Sequence, residues 1–148
     1  MKSLFLSAIG GALLLSASVA SAQFTPRVYD RGSVWTASYI QTKPGQFNAF
    51  MADLGKNWRA AREQAQKRGD EISYKILNIA DARDGEANLV LMVEYKNWAT
   101  RDRSLADNEA DTKALFGSLD ANRQMGLDRE ALRTQRGSRA SVELKFVK

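Results

Sequence analysis

Residues 88–95 read NLVLMVEY, a run without Gly or Pro in which Leu89, Leu91, Val93 and Tyr95 fall on one side of an extended chain and Val90 and Met92 on the other. Both faces of this strand are therefore apolar. An antiparallel sheet covered by helices on one side usually turns polar residues to the other. The second apolar face predicts another layer against it, most simply a second copy of the same sheet, so Val90 and Met92 point to a homodimer.

The flanking segments build a sheet around that strand. Upstream, Asp84-Gly85 is a hairpin-turn signal, and Glu71–Ala80 (EISYKILNIA) alternates at Ile72, Tyr74 and Ile76 before slipping phase, which predicts a strand with a bulge. Further back, Phe47, Phe50, Met51, Leu54, Trp58, Ala61 and Ala65 recur at three- and four-residue steps. This is an amphipathic helix, opened by Pro44 in its first turn and closed at Gly69 by a left-handed residue. Ser33–Gln41 (SVWTASYIQ), rich in β-branched and aromatic residues, reads as the first strand.

Downstream, Asn97 or Thr100 can cap a helical region carrying Leu105, Leu115, Phe116, Leu119, Met125, Leu127 and Leu132. Gly117 and Gly126 divide it into two or three pieces. Arg133 and Arg136 fit the last helical turn before Gly137, where cations complement the helix dipole. Arg139–Val147 (RASVELKFV) alternates with one apolar face, as an edge strand does. The order predicts an α+β fold, a ferredoxin-like βαββαβ antiparallel sheet with helices on one face.

The start of the chain predicts export. Lys2, an apolar run from Leu4 to Leu15 and the small residues Ala20-Ser21-Ala22 occur in the order of a cleavable signal peptide, residues 1–22. The run is interrupted by Ser7, Gly10 and Gly11 and is too short to span a bilayer. The expected product has an extended leader at 23–32 and a single domain at 33–148, no membrane span, and a periplasmic or secreted location. Cleavage removes Lys2, lowering the formal net charge of +5 by one. That mild basicity is mainly a solubility feature and calls for no nucleic acid. A minor reading is adhesion to anionic envelope polymers.

The 148 residues include no Cys and no His. Disulfides, a Cys nucleophile, His-based triads and histidine-ligated zinc or haem are excluded together. Carboxylate, Lys or Tyr chemistry, oxygen-only cation sites and binding without chemistry remain. Asp81, Asp84 and Glu86 lack calcium-loop spacing and read as a solvated hairpin; Asp102, Asp107, Glu109 and Asp111 read as a wet helix face. No metal and no cofactor is expected. The aromatic and sulfur side chains Trp35, Tyr39, Tyr74, Met92 and Tyr95 are the candidate ligand-binding set, with a small apolar or aromatic molecule as ligand.

From Val34 to about Asn108, the aromatic helix Gln46–Arg68, the Asp84-Gly85 hairpin and the junction Glu94-Tyr95-Lys96-Asn97-Trp98 together resemble the dimeric α+β barrel superfamily. The resemblance implies two ferredoxin-like sheets paired into a barrel. It covers about half the chain. That superfamily includes antibiotic-biosynthesis monooxygenases and stress-response barrels. Many monooxygenase-like members carry a His about ten residues after the junction Trp, where this chain has Asn108. Cofactor-free members use Asn, Trp, Tyr and Arg; Asn57, Trp58, Tyr74, Tyr95, Trp98 and Arg101 are of those types. The departure at Asn108 favours an exported, noncatalytic binding or interaction protein. The alternative is a cofactor-independent monooxygenase-like enzyme acting on an aromatic substrate.

Overall fold

A computed structural model describes residues 25–147; the expected signal peptide lies outside the described residues. The fold is α+β, with four antiparallel strands. In chain order the elements are β1 (Tyr29–Thr42), α1 (Phe47–Asp53), a π-helical turn (Leu54–Trp58), α2 (Arg59–Arg68), β2 (Ser73–Asn78) and β3 (Leu89–Tyr95). A 3₁₀ turn (Ala99–Arg101), α3 (Leu105–Phe116), α4 (Leu119–Glu130) and β4 (Arg133–Phe146) follow. The spatial order is β2-β3-β1-β4. The apolar run read first, β3, lies inside the sheet with β1 and β2 as neighbours.

Strand register sorts the side chains onto two faces. Leu89 lies opposite Ile40, Leu91 opposite Ser38, Val93 opposite Thr36 and Tyr95 opposite Val34. Ile40, Leu89 and Leu91 form the core with Phe50 and Leu54 of the first helix, and Phe47, Met51, Trp58, Ile76 and Leu132 pack around them. Phe50 and Leu89 are 1% exposed, and each such side chain contributes roughly 1.5–3 kcal/mol by leaving water. The remaining helices lie on that same side. Arg129 of α4 pairs with Asp53 of α1 at 2.6 Å, and Arg68 of α2 pairs with Asp111 of α3 at 3.0 Å.

The second face carries Trp35, Ala37 and Tyr39 from β1, Val90, Met92 and Glu94 from β3, Ser73, Lys75 and Leu77 from β2, and Arg139 and Ser141 from β4. Among the described residues no helix packs on it. Lys75 Nζ sits 4.9 Å over the Trp35 ring, and Leu77 is 46% exposed.

Several boundaries differ from the sequence reading. β1 begins at Tyr29, within the expected leader, because Tyr29 pairs with Phe146 and Arg31 with Leu144. Pro44 lies in the turn before α1 rather than in its first turn, where Gly45 takes φ 74°. β2 runs in continuous register with β3, without the expected bulge. Gly126 sits inside α4 and breaks nothing.

The largest difference concerns Arg133 and Arg136. They belong to β4, not to a helix end: Arg133 lies opposite Thr42, and Arg136 donates through Nε to Gln41 at 2.9 Å. The sheet captures this segment because backbone groups of β1 beyond Ile40 would otherwise lack partners on that edge.

Candidate functional site

The chain leaves α2 through Gly69, whose φ of 81° is left-handed. Its N–H donates to the Gln66 carbonyl and that of Asp70 to Ala65, at 2.9 and 3.0 Å, the paired bonds that close a helix and reverse the chain. This reversal returns Asp70 and Glu71 alongside the helix they have just left. Arg62 Nη1 then donates to Glu71 at 2.6 Å, and Arg68 Nε to Asp70 at 2.8 Å.

A second turn brings the opposing wall. After β3, Asn97 Oδ1 accepts from the Thr100 N–H at 3.1 Å and fixes the 3₁₀ turn. Ser104 then caps α3 by accepting from Asp107 N–H. Arg103, just before that cap, bonds Asp70 and also Asp111, the latter at 2.9 Å. Arg68, Asp70, Arg103 and Asp111 thus form a closed ring of alternating charge. Asp111 is part of this ring and not of a merely wet helix face.

Between α2 and α3 lies a cavity of about 340 Å³. Ala61, Gln64 and Ala65 line it from α2; Asn108, Thr112 and Leu115 line it from α3; Tyr95 and Arg101 line it from the end of β3 and the 3₁₀ turn. Four buried polar atoms on its lining residues have no hydrogen-bond partner among the described residues: Arg62 Nε, Gln64 Oε1, Glu71 Oε2 and Arg103 Nε. Burial pushes the Glu71 carboxyl above its ordinary value, against the pull of Arg62. Burial also raises Asp70, but hydrogen bonds from Arg68 and Arg103 outweigh it and hold that carboxyl below its ordinary range.

The five side chains singled out in the sequence divide between the faces. Trp35, Tyr39 and Met92 share the helix-free face, Met92 opposite Ala37 and Tyr39 opposite Val90. Tyr74 and Tyr95 lie on the other. Tyr74 meets Trp58 edge-on, with ring centres 5.2 Å apart. Tyr95 stacks beneath Arg101, whose guanidinium lies 5.5 Å from both the Tyr95 and Trp98 rings. Of the residue types that cofactor-free enzymes use, Tyr95 and Arg101 converge on the cavity with Asn108. Asn57 instead bonds Asp53.

Sequence reasoning passed over the ion-pair ring. Its signal is visible in retrospect as Arg68-Gly69-Asp70-Glu71 and Arg101-Asp102-Arg103, opposite charges set tightly around a helix stop and a turn.

No protein-family model matches the chain. No curated protein matches it significantly. Among solved structures the chain is similar to protein SO0527 from Shewanella oneidensis, with a TM-score of 0.45 and 10% identity over 81% of this chain and 97% of that one. It is also similar to PA3566 from Pseudomonas aeruginosa, with a TM-score of 0.41 and 12% identity over 78% of this chain and 96% of that one.

Proposed function

We propose that this is an exported, noncatalytic binding protein that works as a homodimer of the ferredoxin-like, dimeric α+β barrel kind. Two sheets would meet through their helix-free faces and enclose a small apolar or aromatic molecule. The observation that supports this reading is the side-chain content of that face. Trp35, Ala37, Tyr39, Val90 and Met92 form an apolar patch across β1 and β3, bordered by Glu94, Lys75 and Arg139, and an apolar patch with a polar border marks an interface or a ligand site. The strand order β2-β3-β1-β4, antiparallel throughout, fits a split βαβ unit. Trp35, Tyr39 and Met92 would line the chamber between the sheets.

The deciding experiment is native mass spectrometry of the exported protein from its own host, read for subunit count and retained small molecules. A dimer with a defined ligand carries the proposal. A ligand-free monomer overturns it.

A second reading, cofactor-independent oxygenation of an aromatic substrate, draws on the convergence of Glu71, Tyr95 and Arg101 on the cavity between α2 and α3. Oxygen uptake with an aromatic substrate that stops in Tyr95→Phe would favour it over binding alone.

A further inference from the structure

We infer that the helix-bearing face of the sheet holds a second binding site, for a small amphipathic carboxylate, separate from the helix-free face. On the face that carries Ile40 and Leu91, β1 presents Thr36 and Ser38, and β4 sets Ser138 directly opposite Ser38 and Ala140 opposite Thr36. Their hydroxyls make no side-chain hydrogen bond with another described residue. Ser138 and Ala140 are exposed and Thr36 and Ser38 half-buried, so these hydroxyls open onto an accessible surface with donors and acceptors free for a ligand.

The space over these hydroxyls is a cavity of about 280 Å³, walled also by Tyr95, Arg101 and Arg139. No Asp or Glu among the described residues lines it. The Arg101 guanidinium, steadied by the Tyr95 and Trp98 rings, forms no ion pair among the described residues. In the neighbouring cavity between α2 and α3, by contrast, Arg62, Arg68 and Arg103 are neutralised by Glu71, Asp70 and Asp111. The hydroxyl-floored cavity therefore carries at its exposed rim a guanidinium, Arg101, that no described carboxylate pairs.

Ser38 also lines an adjoining cavity of about 170 Å³, which is apolar on the sheet and first-helix side: Ile40, Phe50, Leu54, Trp58 and Leu91. Arg129 and Arg133 line this cavity too, each already paired with a carboxylate, Asp53 and Glu130 respectively. The two spaces share Ser38: over one lie hydroxyls and Arg101, and the other has an apolar wall edged by the ion-paired Arg129 and Arg133. A guanidinium pairs with a carboxylate through parallel N–H donors, and the hydroxyls can donate to the same oxygens. An alkyl or aryl tail would then lie against Trp58, Phe50 and Leu91.

The test is isothermal titration of the full exported chain with octanoate, octylammonium and octanol as probes. One octanoate per chain is expected, with octanol weaker and octylammonium not binding. Arg101→Gln should weaken octanoate about tenfold or more, the loss of one charge-assisted contact. Ser38→Leu should abolish binding by filling the junction. Met92→Lys, which probes the helix-free face, should leave octanoate affinity unchanged. Equal affinity for octylammonium, unaltered binding in both Arg101→Gln and Ser38→Leu, or no saturable heat with octanoate would overturn the site. Loss of octanoate binding in Met92→Lys alone would assign the ligand to the helix-free face and overturn it equally.

Discussion

Arg103 and Asp111 lie 2.9 Å apart and close a ring whose other members are Arg68 and Asp70. The ring matters because α3 has no buried residue and neither does α4. Helices normally dock through a buried apolar stripe; this pair has only half-buried apolar residues, among them Leu115, Phe116 and Met125, and adds ion pairs at the ring and where Arg129 meets Asp53.

Arg103→Ala should loosen α3 while the sheet stays intact, at a cost of about 1–3 kcal/mol given that the ring is partly solvated. Hydrogen exchange should accelerate across residues 105–116 and stay slow in β1 and β3. High salt should act in the same direction on the unmutated protein. Asp70 contributes stability above its ordinary value of 3.8, and that contribution is lost as pH falls through its lower folded value. Acidification should therefore release α3 before it unfolds the sheet. Uniform exchange throughout the chain would show that charge does not hold α3.

Glu71 titrates in the opposite sense. Its folded value lies above the ordinary 4.5, so its contribution favours folding below 4.5 and is lost as pH rises through the folded value. Glu71→Gln preserves the shape of the protonated form. That variant should match or exceed the parent at pH 7, within about 1 kcal/mol, and should lose the parent's relative gain toward acid. Arg62→Ala should be the damaging change. It leaves a side chain that is 4% exposed without its cation, a cost of about 2–4 kcal/mol at pH 7 that shrinks as Glu71 takes up a proton. Thermal melts at pH 7 and pH 4 separate the two outcomes.

Gly69 links the site to the backbone. At φ 81° a Cβ is strained even though nothing lies within 4 Å of where it would be. Gly69→Ala should cost about 1 kcal/mol through the backbone alone. Because Gly69 aims Asp70 and Glu71, the same variant should also speed exchange in α3. A stability loss with no change in α3 would separate the helix stop from the ion-pair ring.

Local features of the chain were legible in the sequence. The spacing of Phe47, Phe50, Leu54 and Trp58 located the first helix and its core face, Gly69 marked its end, and Asp84-Gly85 marked the hairpin, where Glu86 N–H bonds the Arg83 carbonyl at 3.0 Å. Features made by distant segments were hidden. Nothing local distinguishes Arg133–Arg136 as strand from helix end; that is decided by pairing with Gln41 and Thr42. The hydroxyl floor depends on Ser38 facing Ser138, residues 100 positions apart. Likewise Asp111 looks like any solvated helix acid until Arg103 is seen to reach it.

The two-sided apolar strand leads to the most consequential prediction. Val90 is only 7% exposed and Met92 is half-buried on a face that no described helix covers. If two sheets meet there, Met92→Lys places two charges near the centre of the interface, where burying an unpaired ammonium costs several kcal/mol. Dissociation should then be complete at micromolar concentration, seen as halved mass in sedimentation or light scattering. The fold should persist, because Met92 lies outside the core of Ile40, Phe50, Leu54, Leu89 and Leu91. A control on the helix-bearing side, Phe50→Ala, should behave in reverse, costing about 3–5 kcal/mol in folding without selectively splitting the dimer. If Met92→Lys leaves both mass and melting temperature unchanged, lysine has simply extended into water, and the helix-free face is an open surface rather than a seam between two sheets.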